Sequence, residues 1–197
     1  MLTGDAQLVD RARTLSLHGM TRNAWNRYGT EGTWFYDVVC PGFKCNMTDL
    51  QASLGLVQLS RLESLQHRRA EIFARYNAAF EPVSSLQIPV CRADVQPARH
   101  LYVLRLCDGA ARGGRDALIA ELKVRGICTS VHFIPVHLHT YYRQKYGYQP
   151  EDFPVALDNY RRMLSLPLSP ALTDDEVSRV ISAVRQITAE GPNKLAA

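Results

Sequence analysis

Three histidines fall within eight residues in the run Thr129-Ser130-Val131-His132-Phe133-Ile134-Pro135-Val136-His137-Leu138-His139. Imidazole can ligate a metal, move a proton near neutral pH, or hydrogen-bond a hydroxyl-bearing ligand. A metal site needs further ligands at a compatible spacing. Here His132 stands on a predicted strand, His137 and His139 follow Pro135, and no obvious carboxylate ligand accompanies them, so no metal is expected. Two readings remain open: histidines hydrogen-bonded within a loop, and a strand edge that recognises a polar ligand.

A second constellation is Gly42-Phe43-Lys44-Cys45-Asn46-Met47, just ahead of Thr48-Asp49-Leu50-Gln51. The latter is a capping box: the Thr48 side chain accepts from the Gln51 amide, and the Gln51 side chain returns to the Thr48 amide. A glycine turn entering a helix start gathers backbone N–H groups and the positive end of a dipole, a setting that suits anions. Lys44 and Asn46 add side-chain donors there. The chain has no dinucleotide fingerprint, P-loop, H-E-x-x-H or nucleophile elbow. Its five cysteines, Cys40, Cys45, Cys91, Cys107 and Cys128, include no C-x-x-C pair and have no evident activating partner. They are expected to be reduced thiols that pack as small apolar residues.

The elements that must position these groups follow from periodicity. A short helix is predicted over residues 5–18, ended by Gly19. Residues 20–43 read as an aromatic-rich loop with an extended piece at 34–39. Behind the capping box, Leu50, Leu54, Val57, Leu62, Leu65, Ile72, Phe73, Tyr76 and Phe80 form one apolar stripe. That stripe predicts a long helix over residues 48–81, or two helices sharing a bend. Strands are predicted at 86–90, 100–106 and 128–133, and an extended piece at 164–168. Helices are predicted at 115–125 and 152–163. A second capping box, Thr173-Asp174-Asp175-Glu176, opens a last amphipathic helix, and residues 191–197 read as a frayed tail. Helices and loops followed by strands separated by helices suggest an α+β domain with a small, mostly antiparallel sheet.

The chain has 197 residues, 46% of them hydrophobic and 21% charged, enough to bury a real core. Lys and Arg outnumber Asp and Glu by 23 to 19. The basic spots His67-Arg68-Arg69 and Arg161-Arg162 lie close to carboxylates, so a nucleic-acid partner is not expected. No apolar run is long enough to span a membrane, and the first residues do not read as a secretory signal, so a cytoplasmic location is expected.

The run from Gly42 to Gly55, with Gln58-Leu59, Arg68-Arg69, Leu17-His18-Gly19, Gly126-Ile127, Val131-His132-Phe133, His137, and Leu164-Ser165-Leu166-Pro167-Leu168 before Thr173-Asp174-Asp175-Glu176-Val177, resembles the DegT-type nucleotide-sugar aminotransferases. These are pyridoxal-phosphate (PLP) enzymes of the aspartate-aminotransferase fold, and the resemblance runs over about residues 1–190. It implies the C-terminal part of an α/β PLP-dependent transferase. Residues 1–47 would be a large-domain remnant with an interface loop, 48–81 the interdomain helix, 82–190 the small α+β domain, and 191–197 the tail.

The resemblance also implies the chemistry. PLP is the cofactor, an amino donor such as glutamate and a keto-sugar nucleotide are the substrates, and the intact family forms homo-oligomers, commonly dimers. Asn46 matches a position that reaches the PLP phosphate across the dimer interface. Lys44 stands where many relatives have Asn, and Asn46 where they have Arg. This Lys-x-Asn branch resembles enzymes for 4-amino-arabinose-type sugars. His132 matches a position lining the sugar-nucleotide pocket, with His137 nearby. The first residues resemble the segment after the Schiff-base lysine, and Lys44, Lys123, Lys145 and Lys194 match other segments. On this reading the chain contains no catalytic residue and is inactive alone. The alternatives are a non-catalytic binding or regulatory module, or a truncated product without independent function.

Overall fold

The computed structural model describes residues 3–20, 37–107, 111 and 113–189. The chain divides into two compact units, residues 1–60 and 61–197.

In the first unit, helix α1 (Ala6–Ser16) is capped by Asp5, whose carboxylate accepts from the amides of Gln7 and Leu8. Beyond α1 the chain is laced to residues 38–45. The Phe43 amide donates to the Leu15 carbonyl, the His18 amide to the Phe43 carbonyl, and the Cys45 amide to the Ser16 carbonyl. Met20 pairs with Val38 as well. Of the expected loop and extended piece, residues 21–36 lie outside the described residues.

Two glycines make this crossing sterically feasible. Gly19 has φ +74°, and a Cβ there would lie 1.7 Å from the Cys40 carbonyl oxygen. A Cβ on Gly42 would lie 2.1 Å from the Gly19 nitrogen and 2.6 Å from the His18 carbonyl carbon. Backbone atoms cannot swing aside as a long side chain can, so any larger residue must push the two segments apart.

Helix α2 (Asp49–Ser60) starts on the expected capping box, with the Gln51 amide donating to Thr48 Oγ1 and the Thr48 amide to Gln51 Oε1. It buries no residue. Leu50, Leu54, Leu56, Val57 and Leu59 are all more than half exposed. The expected single stripe therefore does not hold along its length. The helical run is interrupted at Arg61 (φ −96°, ψ −4°), and helix α3 (Leu62–Phe80) begins after it.

The second unit carries the core. Ile72, Tyr76 and Phe80 recur every four residues on α3 and are fully buried. A three-stranded antiparallel sheet runs in the order β1 (Leu86–Gln87), β2 (Tyr102–Leu106), β3 (Met163–Leu166). Alternation along β2 buries Tyr102, Leu104 and Leu106. The register sets Tyr102 opposite Leu166 and Leu104 opposite Leu164, so these four share the core face. Helix α4 (Gly114–Val124) adds Leu118 and Leu122, and helix α7 (Asp174–Ala189) adds Val177, Val180 and Val184. Tyr102 stands at the centre, with its ring 4.8 Å from Phe73 and 4.9 Å from Tyr76, and its hydroxyl donating to Asn77 Oδ1 at 2.9 Å. Burial pushes the Tyr76 hydroxyl up to about 12 and the Tyr102 hydroxyl further in the same direction, so both stay protonated donors.

Between α4 and β3 the chain forms two short helices, α5 (Thr140–Tyr146) and α6 (Pro154–Arg162), each preceded by a single 3-10 turn. The strand expected at 128–133 is reduced to one pairing: Ser130 exchanges both backbone hydrogen bonds with Ser165 at the free edge of β3. Pro135 and the turn after it end the extended run too early for a ladder. The cysteines also depart from expectation. All five are free, but Cys45, Cys91 and Cys128 are exposed and Cys40 and Cys107 half-buried, because they sit in connections rather than on core faces. Among the described residues no helix is long and apolar enough to cross a membrane.

The second capping box forms as expected, with the Glu176 amide donating to Thr173 Oγ1 and the Thr173 amide to the Glu176 carboxylate. Beside it, Arg68 and Arg75 of α3 both donate to Asp174 Oδ1, at 2.8 and 2.6 Å. The Arg68 guanidinium holds the Asp174 carboxyl below its ordinary range, with Arg75 adding to the effect.

Three expectations follow. Gly42→Ala should loosen the crossing by about 2–3 kcal/mol, lowering hydrogen-exchange protection of the His18 and Cys45 amides roughly thirtyfold to a hundred-and-fiftyfold. Gly55→Ala has open space around the new Cβ on α2 and should stabilise that helix by about 0.5–1 kcal/mol. For Asp174, a depressed folded-state pKa means that its stabilisation is present above the ordinary carboxylate range and is lost as pH falls through the folded value. Asp174→Asn should therefore lower the neutral-pH melting temperature, leave strong-acid stability nearly unchanged, and flatten the acid limb between them.

Candidate functional site

The two donor side chains of the first unit sit on the segment that crosses α1. Lys44 pairs through its backbone with Leu17, and the amides of Phe43 and Cys45 are tied to carbonyls of α1 on either side. The backbone is thereby fixed while the side chains stay uncommitted. Lys44 is exposed and Asn46 half-buried, and neither side chain makes a hydrogen bond or ion pair among the described residues. Thr48, not Asn46, caps α2, so Asn46 is not spent on the helix start. An ammonium and a carboxamide two residues apart, beside a helix N-terminus, form a donor set suited to a phosphate group. These residues fit the phosphate of PLP.

In the second unit, the face of β3 opposite the core carries the other candidate. Leu164 and Leu166 point to the core, so Ser165 between them lies on the reverse face, level with Val103 of β2 on one side and Ser130 on the other. Ser165 is buried, and its hydroxyl stands 2.9 Å from Nδ1 of His132. The His132 ring is half-buried and packs edge-on against Phe133 at 4.9 Å. Its Nε2 has no protein partner among the described residues. Farther along this face, Arg105 of β2 donates to Asn159 of α6.

His137 is placed differently. It is 6% exposed, packs 4.8 Å from Phe153, and has Nε2 at 3.2 Å from the Pro150 carbonyl oxygen. That bond supports the turn leading to α6, and the ring shares no contact with His132. His139 is exposed. From Gly126 to Pro150 the chain contains no carboxylate but has three histidines, Arg143 and Lys145. No group of three potential metal ligands assembles among the described residues.

Sequence reasoning singled out Lys44, Asn46, His132 and His137 but gave Ser165 no site role, reading it within an extended piece and a stretch of family resemblance. A serine between two leucines on a strand was the available signal, since alternation turns it away from the leucines' face.

The family comparison matches residues 1–185 to the DegT/DnrJ/EryC1/StrS aminotransferases. The chain belongs to that family. It is 50% identical over 188 residues to the spore coat polysaccharide biosynthesis protein SpsC of Bacillus subtilis, covering 95% of this chain and 48% of SpsC. Among solved structures it is similar to Spr1654 from Streptococcus pneumoniae in its PMP-form, with TM-score 0.79, 37% identity, and coverage of 95% of this chain and 46% of that one. It is also similar to the sugar aminotransferase CalS13 from Micromonospora echinospora, with TM-score 0.72, 26% identity, and coverage of 92% and 45%. The chain thus spans about half the length of the relatives it matches. The family is PLP-dependent, and Spr1654 is also known in a PLP-form. The helices and small antiparallel sheet described above are the corresponding portion of that fold.

Proposed function

We propose that the whole protein is a cytoplasmic, homo-oligomeric PLP-dependent aminotransferase. It moves an amino group from a donor such as glutamate to a keto-sugar nucleotide used in polysaccharide biosynthesis. The observation that carries this reading is the pair of uncommitted donors, Lys44 and Asn46, on a backbone immobilised by its bonds to α1. In a chain of this family, those donors are suited to the cofactor phosphate.

Bound PLP supplies the electron sink for amino transfer. Lys44 would neutralise phosphate charge and Asn46 would donate a directional hydrogen bond, which together fix the cofactor's position. His132 would contact the sugar nucleotide through its free Nε2, and His137 would brace the same segment from behind through Pro150. The absence of carboxylates between Gly126 and Pro150 supports an anionic ligand, since no fixed negative charge in that stretch opposes it. None of Lys44, Lys123, Lys145 or Lys194 is assigned to covalent cofactor binding.

The experiment joins the amino-terminal half of SpsC to this chain and measures amino transfer from glutamate to a keto-sugar nucleotide. Activity in the chimera supports the reading, and a folded, PLP-loaded chimera without activity counts against it. Within it, Asn46→Ala removes a hydrogen bond to a charged group worth about 1.5–3 kcal/mol. PLP affinity should fall roughly tenfold to a hundredfold, with the melting temperature of the apo-protein unchanged because Asn46 has no side-chain partner among the described residues. An unaltered dissociation constant would remove the phosphate contact. Assembly has its own check: the leucines exposed on α2 should drive concentration-dependent association of the 197-residue chain by light scattering at about 100 µM.

A further inference from the structure

The pairing of Ser165 with His132 has a chemical consequence for which nitrogen carries the imidazole proton. A serine hydroxyl has one proton to donate and, when buried, must place it on an acceptor. Ser165 is 5% exposed, and its backbone amide and carbonyl are both engaged by Ser130. Nδ1 of His132 is the one partner of its hydroxyl among the described residues. If Nδ1 carried the proton, the Ser165 hydroxyl would accept from it and its own proton would be left buried without an acceptor. If the proton sits on Nε2, the hydroxyl donates to Nδ1 and both groups are satisfied.

We propose that Ser165 is a positioning residue that holds neutral His132 as the Nε2–H tautomer, making it a hydrogen-bond donor to an acceptor oxygen of the ligand rather than a base. This rests on the reading of His132 as the substrate contact. It names the atoms that His132 can recognise: phosphoryl, hydroxyl or carbonyl oxygens, and not an ammonium or another N–H donor. Proton abstraction by His132 is excluded while the pairing holds, because the one nitrogen with a lone pair in the ring plane already accepts from Ser165. Ser165 is anchored by β2 on one side and Ser130 on the other, two residues before His132, so the ring and its partner are held by the same strand edge.

The test uses the 197-residue chain with nitrogen-15-labelled histidine. Long-range proton–nitrogen correlation spectra at alkaline pH report which ring nitrogen of His132 is protonated. The expected result is a protonated Nε2 and an Nδ1 resonance displaced by an accepted hydrogen bond. Ser165→Ala should abolish that displacement and Ser165→Thr, which keeps the hydroxyl, should restore it. The melting temperature of each variant separates loss of the pairing from loss of the fold. A protonated Nδ1 in the wild type, or an Nδ1 resonance indifferent to Ser165→Ala in a folded protein, overturns the proposal. Titration of the same sample with uridine 5′-diphosphate tests the underlying reading separately. A shift of the Nε2 resonance supports that reading. An unmoved Nε2 with the Ser165-dependent pattern intact removes the nucleotide from the site and leaves the tautomer assignment standing.

Discussion

The second unit depends on the burial of one aromatic residue, Tyr102. It opens the central strand on the sheet's covered face, within ring contact of Phe73, Tyr76 and Phe80 on a single helix. Its hydroxyl must find an acceptor in that apolar setting, and Asn77 of the same helix provides it. The helix is therefore registered against the strand by shape and by one directional bond together. Everything else follows from that junction: β3 takes its register from β2, and α4 and α7 close over the remaining leucines and valines.

Because Tyr102, Leu104, Leu164 and Leu166 commit one face of the sheet to the core, the alternate residues are committed to the other. That reverse face is where polar groups can converge without disturbing the packing. Ser165 and Arg105 lie there, the first hydrogen-bonded to His132 and the second donating to Asn159. The candidate ligand contact is thus a by-product of how the core is built. A helix-facing strand that buries leucines at alternate positions necessarily presents its intervening serine to the side from which His132 approaches.

The first unit follows a different rule. Among its described residues there is no large buried apolar cluster, and their order comes from main-chain hydrogen bonds drawn tight by Gly19 and Gly42. Tying the backbone leaves side chains free, and Lys44 and Asn46 carry no side-chain partners among the described residues. The same economy leaves the leucines of α2 exposed, in contrast to the fully buried i,i+4 residues of α3. Belonging to an aminotransferase family whose curated relatives are about twice as long gives these uncommitted groups their natural context.

Much was legible in the residues themselves. Both capping boxes, the glycine crossing's two motifs, the α3 stripe and the strand at Tyr102 were readable because each depends on spacing within a few residues. The candidate residues Lys44, Asn46, His132 and His137 were visible through motif resemblance. Only the tertiary structure separated His137, spent on the Pro150 carbonyl, from His132, whose Nε2 has no partner among the described residues. It alone brought Ser165 to His132, thirty-three positions away in the chain. It also decided that Leu50 and Leu54 stay exposed while Ile72 and Tyr76 are buried, although all four fit one helical period. Periodicity reports which side chains share a face; what meets that face depends on long-range packing, and no local pattern encodes it.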